Sequence, residues 1–316
     1  MQISKNTHTN QSPAPTVADT TKMPHRILLY YKYVPLEQPE QIRDWQKKIC
    51  KELNLKGRIL VSSEGLNGTL AGLPEDVEKY KLATQEHPAF TDMEWKESDA
   101  DEQVFPKLRV VAREEIVTLG LKKKAMDVSL ENKAHYIEPE ELLNLYEKEE
   151  EFLILDARNE YEAKIGTFKD ALVPPIDTFR EFPEFTKTIE DYKDKPIVTF
   201  CTGGVRCEKA SAYLREQGFK NVRQLHGGIH VYAEKTGGKY FEGELFVFDK
   251  RLQMSVNKVN PTVIARCQYC QEAVTRYVDC AERSCGVLFI CCQNCETEHL
   301  GCCSESCEQK HSQATN

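Results

Sequence analysis

Ten of the 13 cysteines in this 316-residue chain fall between Cys267 and Cys307, and the rest of the chain holds only Cys50, Cys201 and Cys207. A run that dense must be crosslinked by disulfides or gathered around metal. The odd count argues against a full set of disulfides. Residues 1–24 are polar and lack the apolar stretch of a secretory leader, so they are expected to form a disordered tail. Both points favour a reducing, cytoplasmic setting, and with it metal. The spacing is Cys267-x2-Cys270, Cys280-x4-Cys285, Cys292-x2-Cys295, then Cys303 and Cys307. Short knuckles of this kind bring two thiolates onto one tetrahedral ion. Those eight cysteines suffice for two closed structural zinc sites, leaving Cys291 and Cys302 over. Disulfides and an iron–sulfur cluster remain the alternatives, because thiolates alone do not choose between metals. His299 and His311 are expected to stand outside the ligand set. From about residue 251 onward there are too few aliphatic residues for folding by burial alone, so the metal would serve as the staple.

The remainder has the composition of ordinary globular domains. Hydrophobic residues make up 40% and charged residues 29%, and no apolar run approaches the roughly 18 residues that span a bilayer, so no membrane partner is expected. Residues 25–121 read as strand (27–34), helix (39–53), strand (58–61), a turn over 64–68, strand (69–71), helix (74–84) and a further strand near 107–112. That order predicts a ferredoxin-like α+β domain. In residues 122–250, helix 139–150, buried strands 152–158 and 196–200, helix 207–217 capped by Gly218, and strand 221–225 alternate as in a parallel α/β sheet. Residues 251–316 form the cysteine-rich region.

The sharpest chemical signal is the segment PIVTFCTGGVRCEKAS. A buried strand delivers Cys201 at its carboxyl end, Thr202, Gly203, Gly204, Val205 and Arg206 form a tight loop, and a helix follows at once. Paired glycines let backbone N–H groups turn toward one point, and the positive end of the helix faces the same point. A thiolate there is stabilised, which makes Cys201 a candidate nucleophile with Arg206 as its electrostatic partner. Cys207 is either a packing residue or a thiol able to resolve an oxidised Cys201.

CTGGVR resembles the active-site loop of rhodanese domains, whose six residues from Cys to Arg are one fewer than in the phosphatases of the same fold. ILDAR with Tyr161, Glu162 and Gly166 is similar to a first rhodanese signature, with Gly166-Thr167-Phe168 in place of Gly-His-Ile, and HGGI (226–229) resembles the closing one. With the flanks GRILVSSEGLNGTLAG and EEIVTLG and the terminal cysteine cluster, residues 27–307 resemble the tRNA uridine hydroxylase family. The resemblance implies oxygen-dependent hydroxylation of carbon 5 of the wobble uridine, with molecular oxygen as co-substrate and tRNA as partner. The rhodanese loop by itself would equally suit a sulfurtransferase that carries a Cys201 persulfide.

A net charge of -8 gives no global attraction for RNA, so any grip must be local. The candidate stretch holds Lys107, Arg109, Arg113, Lys122, Lys123 and Lys124. Arg58 and Asn67 form a second candidate surface.

Overall fold

The computed structural model describes residues 24–121 and 129–315. The expected tail up to residue 23, and Lys122, Lys123 and Lys124, lie outside the described residues.

The first unit is built on β1 (His25–Tyr33), α1 (Pro39–Glu52), β2 (Lys56–Ser62), β3 (Gly65–Gly72), α2 (Pro74–Gln85), β4 (Trp95–Ala100) and β5 (Leu108–Ala112). Strand order is β4-β1-β3-β2-β5; neighbours among the first four run antiparallel, as in a ferredoxin-like sheet, and β5 joins β2 in parallel. Side chains alternate across the strands. Leu28, Tyr30, Ile59, Val61, Leu66 and Leu70 enter the core with Val77 and Tyr80 of α2. Leu29, Tyr31, Tyr33 and Arg58 therefore lie on the opposite face. Both helices begin with proline at the first turn, where the missing N–H costs no hydrogen bond.

Two expectations need correction. The turn over 64–68 is shorter than its composition suggests: Gly65 already pairs with Tyr33 and Ser62, and Leu66, Asn67 and Gly68 are strand residues. Gly68 is there because the Tyr30 ring lies where its Cβ would be. The strand near residue 107 is an addition at the sheet edge, and the fourth ferredoxin strand is β4, whose sequence WKESDA is mostly polar.

The second unit carries β6 (His135–Ile137), α3 (Pro139–Glu147), β7 (Leu153–Asp156), α4 (Glu160–Ala163), β8 (Gly166–Phe168), α5 (Phe182–Phe185), β9 (Pro196–Phe200), α6 (Val205–Glu216), β10 (Asn221–Leu225), α7 (Gly228–Thr236), β11 (Phe241–Gly243), β12 (Leu245–Phe246) and β13 (Gln253–Met254). Its main sheet is parallel, in the order β6-β10-β9-β7. Leu155 and Ile197 pack with α6 on one face, while Ile154, Val198 and Phe200 pack with α3 and α7 on the other. Helices on both faces account for the continuous apolar runs of these strands.

The third unit is a ribbon of β14 (Tyr277–Asp279) and β15 (Leu288–Ile290), followed by α8 (Gln293–Glu298) and α9 (Glu305–Thr315). Its core consists largely of cysteines around Val278 and Phe289. Among the described residues no helix is long and apolar enough to cross a membrane.

Candidate active site and cysteine clusters

Cys201 follows β9 at the carboxyl edge of the parallel sheet, where α/β folds commonly bind ligands. The chain then turns into α6 through Gly204, whose φ of 103° favours glycine, and the Gly204 N–H points at the Cys201 Sγ at 3.2 Å. The two glycines have a further reason to be present. A side chain at 203 would meet Leu29 and Lys96, and one at 204 would meet the Tyr31 hydroxyl, all from the first unit. From the other side α7 holds the loop: Ile229 N–H donates to the Cys201 carbonyl (3.0 Å) and His230 N–H to that of Thr202 (3.1 Å). Gly228 fits between them, since its Cβ would strike those carbonyls.

The sulfur is fully buried. Burial by itself raises the thiol, but the Cys207 thiol, the Arg206 charge and the amides of Arg206 and Cys207 outweigh it and draw Cys201 down to about 6. Burial and the neighbouring thiolate push Cys207 well above its ordinary value, so Cys207 keeps its proton. Val205 opens the helix and Thr202 lies 3.5 Å from Arg206 Nη2.

Arg206 is gripped by both oxygens of fully buried Glu162, with Nη2 to Oε2 at 2.7 Å. Burial opposes its charge, and Glu162 and Cys201 more than restore it. Arg206 is thus a fixed cation beside the sulfur. Glu162 is itself set by a capping box with Asn159 at the start of α4. The aspartate and arginine of LDAR form a buried pair, Arg158 Nε to Asp156 Oδ1 at 2.9 Å, and Arg158 also donates to the Gly166 carbonyl. Thr167, which departs from the usual signature, donates to Asp156 Oδ2 at 3.0 Å.

The first unit forms the other wall. Tyr31 donates to Glu208 (3.1 Å) and Tyr33 to the Val205 carbonyl (3.2 Å). Lys209 of α6 donates to Glu64 (2.8 Å), Glu115 (2.7 Å) and the Val117 carbonyl (2.9 Å), tying the two units together in a buried site. Lys96 of β4, only 5% exposed, stands over the Tyr31 ring at 5.1 Å. Sequence reasoning did not single out Lys96, Glu208 or Lys209. The segments CEKAS and EEIVTLG contain Lys209 and Glu115, yet only the tertiary contact makes them one lock. Of the basic candidates, Lys107, Arg109 and Arg113 are exposed on or beside β5. Asn67 donates to the Ile116 carbonyl at 3.1 Å and is a structural residue.

In the third unit the sulfurs of Cys267, Cys270, Cys292 and Cys295 form one group and those of Cys280, Cys285, Cys303 and Cys307 another, each within 4.8 Å throughout. Either group can hold a metal ion. The first and third cysteine pairs join, as do the second and fourth, so the two loops interlock. Sulfur separations are 3.7 Å for Cys270–Cys292, 3.6 Å for Cys285–Cys303 and 3.8 Å for Cys303–Cys307. These are far from the ~2.05 Å of a disulfide. They match the edge of about 3.8 Å that a tetrahedron acquires from Zn–S bonds of ~2.3 Å. Cys291 and Cys302 are buried outside both groups, and His299 pairs with Glu308 at 2.9 Å.

A parallel sheet with a six-residue Cys-to-Arg loop around a thiolate defines a rhodanese-fold thiol protein. Accordingly, residues 138–235 match the rhodanese-like domain family, residues 25–116 the UPF0176 acylphosphatase like domain and residues 242–308 the rhodanase C-terminal family. Proteins called tRNA uridine(34) hydroxylase are similar along nearly their whole length. Those of Bacillus mycoides (40% identical, 91% of this chain and 90% of that one), Staphylococcus epidermidis (42%, 90% and 89%) and Enterococcus faecalis (42%, 91% and 91%) are examples. The chain belongs to the tRNA uridine(34) hydroxylase family. A solved rhodanese-related protein from Thermoplasma volcanium is 26% identical over 32% of this chain and 93% of that one, with a TM-score of 0.28.

Proposed function

We propose that the protein hydroxylates carbon 5 of uridine 34, the wobble nucleotide of tRNA, using molecular oxygen as co-substrate and Cys201 as the reacting sulfur. The observation that carries this reading is a buried thiol drawn down to about 6 in a glycine loop held between two units, in a chain of this family. Carbon 5 of uracil is a weak nucleophile until a nucleophile adds to carbon 6. Addition of the Cys201 thiolate forms an S–C6 bond and moves the electron pair onto the C4 carbonyl oxygen, leaving enolate character at carbon 5. Carbon 5 then takes one atom of the oxygen molecule, and a two-electron reductant takes the other to water. Loss of the proton from carbon 5 expels the thiolate. The loop amides and the fixed Arg206 charge favour the thiolate that leaves and returns.

Lys107, Arg109 and Arg113, continued in sequence by Lys122, Lys123 and Lys124, supply the local positive charge that an RNA substrate requires in an acidic chain. Two zinc ions, one per cysteine group, are structural; when bound they replace the hydrophobic core that this segment lacks. Action on tRNA and the wealth of free thiols suit the cytoplasm.

The test is a reaction of purified protein with unmodified tRNA under isotopically labelled dioxygen, with a dithiol supplied as the two-electron reductant. Labelled 5-hydroxyuridine formed by wild type and absent with Cys201→Ser supports the proposal. Transfer of sulfur from thiosulfate without oxidation of uridine would favour the sulfurtransferase alternative.

A further inference from the structure

The open face of the first sheet carries a row of residues that runs straight across all five strands. Strand register aligns Lys96 of β4 with Leu29 of β1, Leu29 with Thr69 of β3, Thr69 with Arg58 of β2, and Arg58 with Arg109 of β5. Four strand spacings make the row about 19 Å long. Exposure rises along it. Lys96 is buried, Leu29 and Thr69 are half-buried, and Arg58 and Arg109 are exposed.

The buried end abuts the Cys201 loop, for a side chain at Gly203 would touch both Leu29 and Lys96. The exposed end is a knot of like charge. Arg58 loses some of its basicity to partial burial and to the neighbouring guanidiniums of Arg109 and Arg113. The ion pairs of the first unit engage Arg26, Lys32 and Lys81 on its own strands and helix, while Lys96 faces Glu94 and Glu208 at longer range. In a chain with 50 acidic residues against 42 basic ones, two exposed arginines on neighbouring strands with Arg113 close by favour an anion from outside.

We propose that this row is the seat of the RNA strand adjoining the reacting nucleotide, with Arg58 and Arg109 on its phosphates, Leu29 and Thr69 beneath it, and Lys96 beside the base presented to Cys201. The proposal rests on the RNA reading of the site and adds the path by which the strand reaches it. A base entering over Leu29 has its carbonyl oxygens next to the Lys96 ammonium, which stands over the Tyr31 ring and faces Glu94, Glu208 and the Cys201 thiolate only at longer range. A strand continuing outward meets two guanidiniums on neighbouring strands. Phosphate contacts of this kind set position and salt dependence without reading sequence.

The experiment measures tRNA affinity of the full chain at several salt concentrations, together with turnover at saturating tRNA. Arg58→Gln/Arg109→Gln should flatten the dependence of log K on log salt by about 1.4, from two single-strand contacts at ~0.7 each. Lys48→Gln, on the helical side of the same domain, should change neither slope nor affinity. Lys96→Gln should lose at least tenfold in turnover while binding falls less. Wild-type slope and affinity in the double arginine variant would overturn the track even if hydroxylation persists, and would leave that face to an acidic protein partner. Unchanged turnover in Lys96→Gln would overturn the placement of the base. Failure of the wild-type protein to bind tRNA at all would sink the RNA reading, and the track with it.

Discussion

Replacing Cys207 with alanine isolates one contribution to the reactivity of Cys201. In the folded protein the Cys207 thiol is the foremost of the groups that lower Cys201, ahead of Arg206 and the two amides. A hydrogen bond to an ionised acceptor contributes about 1.5–3 kcal/mol. A thiol is a weak donor, so the lower end applies, or about one pH unit at 1.36 kcal/mol per unit. Cys201 should therefore titrate near 7 in Cys207→Ala instead of about 6. At pH 7 its thiolate would fall from roughly ten-to-one excess to near parity with the thiol. The assay is the rate of alkylation at Cys201 by a small haloacetamide across pH, read by mass spectrometry of the peptide that contains it. Burial slows the reaction without moving its midpoint. Cys207→Ser restores a donor and should return the midpoint toward the wild-type value. A folded Cys207→Ala protein with an unchanged midpoint, or a serine variant no different from alanine, would refute the assignment. The acid limb of tRNA hydroxylation should shift in step.

Lys209→Met should destabilise the protein by about 3–5 kcal/mol in chemical denaturation, because it strands buried Glu115 without its cation. Burial raises Glu115, but Lys209 and the amides of Leu119 and Gly120 more than reverse that, holding its carboxyl below the ordinary value of 4.5. The stabilisation from this lock is thus complete above that value and is lost as pH falls through the depressed one; a stability profile that is flat below pH 5 in wild type would contradict it. Metal analysis should find close to two zinc ions per chain, falling by one in Cys270→Ser or Cys303→Ser and unchanged in Cys291→Ser. A chelator should unfold the third unit, seen as loss of protection of β14 and β15 from hydrogen exchange.

The parts of this protein that were legible in sequence are those whose cause is local. The loop from Cys201 to Arg206 announces itself because a thiolate needs amides, and amides turned inward need glycine. The cysteine knuckles announce themselves because two thiolates separated by two intervening residues converge on one ion. Their interlocking order is different, since spacing fixes pairs but not which pairs meet. β4 was invisible because WKESDA has little apolar content, and yet it contributes Lys96 to the wall above Cys201. Gly68 was misread as turn chemistry because the ring of Tyr30, 38 residues away in sequence, is what demands it. The composite nature of the site was hidden for the same reason. Lys209, Glu115 and Glu64 are ordinary surface-type residues in sequence and become a buried lock only when the two units meet.

Oxidation of uridine by Cys201 and sulfur transfer through it part company in nucleoside mass spectrometry of tRNA from cells lacking this protein and complemented with wild type or Cys201→Ser. Oxidation at Cys201 requires loss of 5-hydroxyuridine and its derivatives in the deficient cells, restored by wild type and not by Cys201→Ser. Undiminished 5-oxidised uridines, accompanied by a change in thiolated nucleosides, would contradict it.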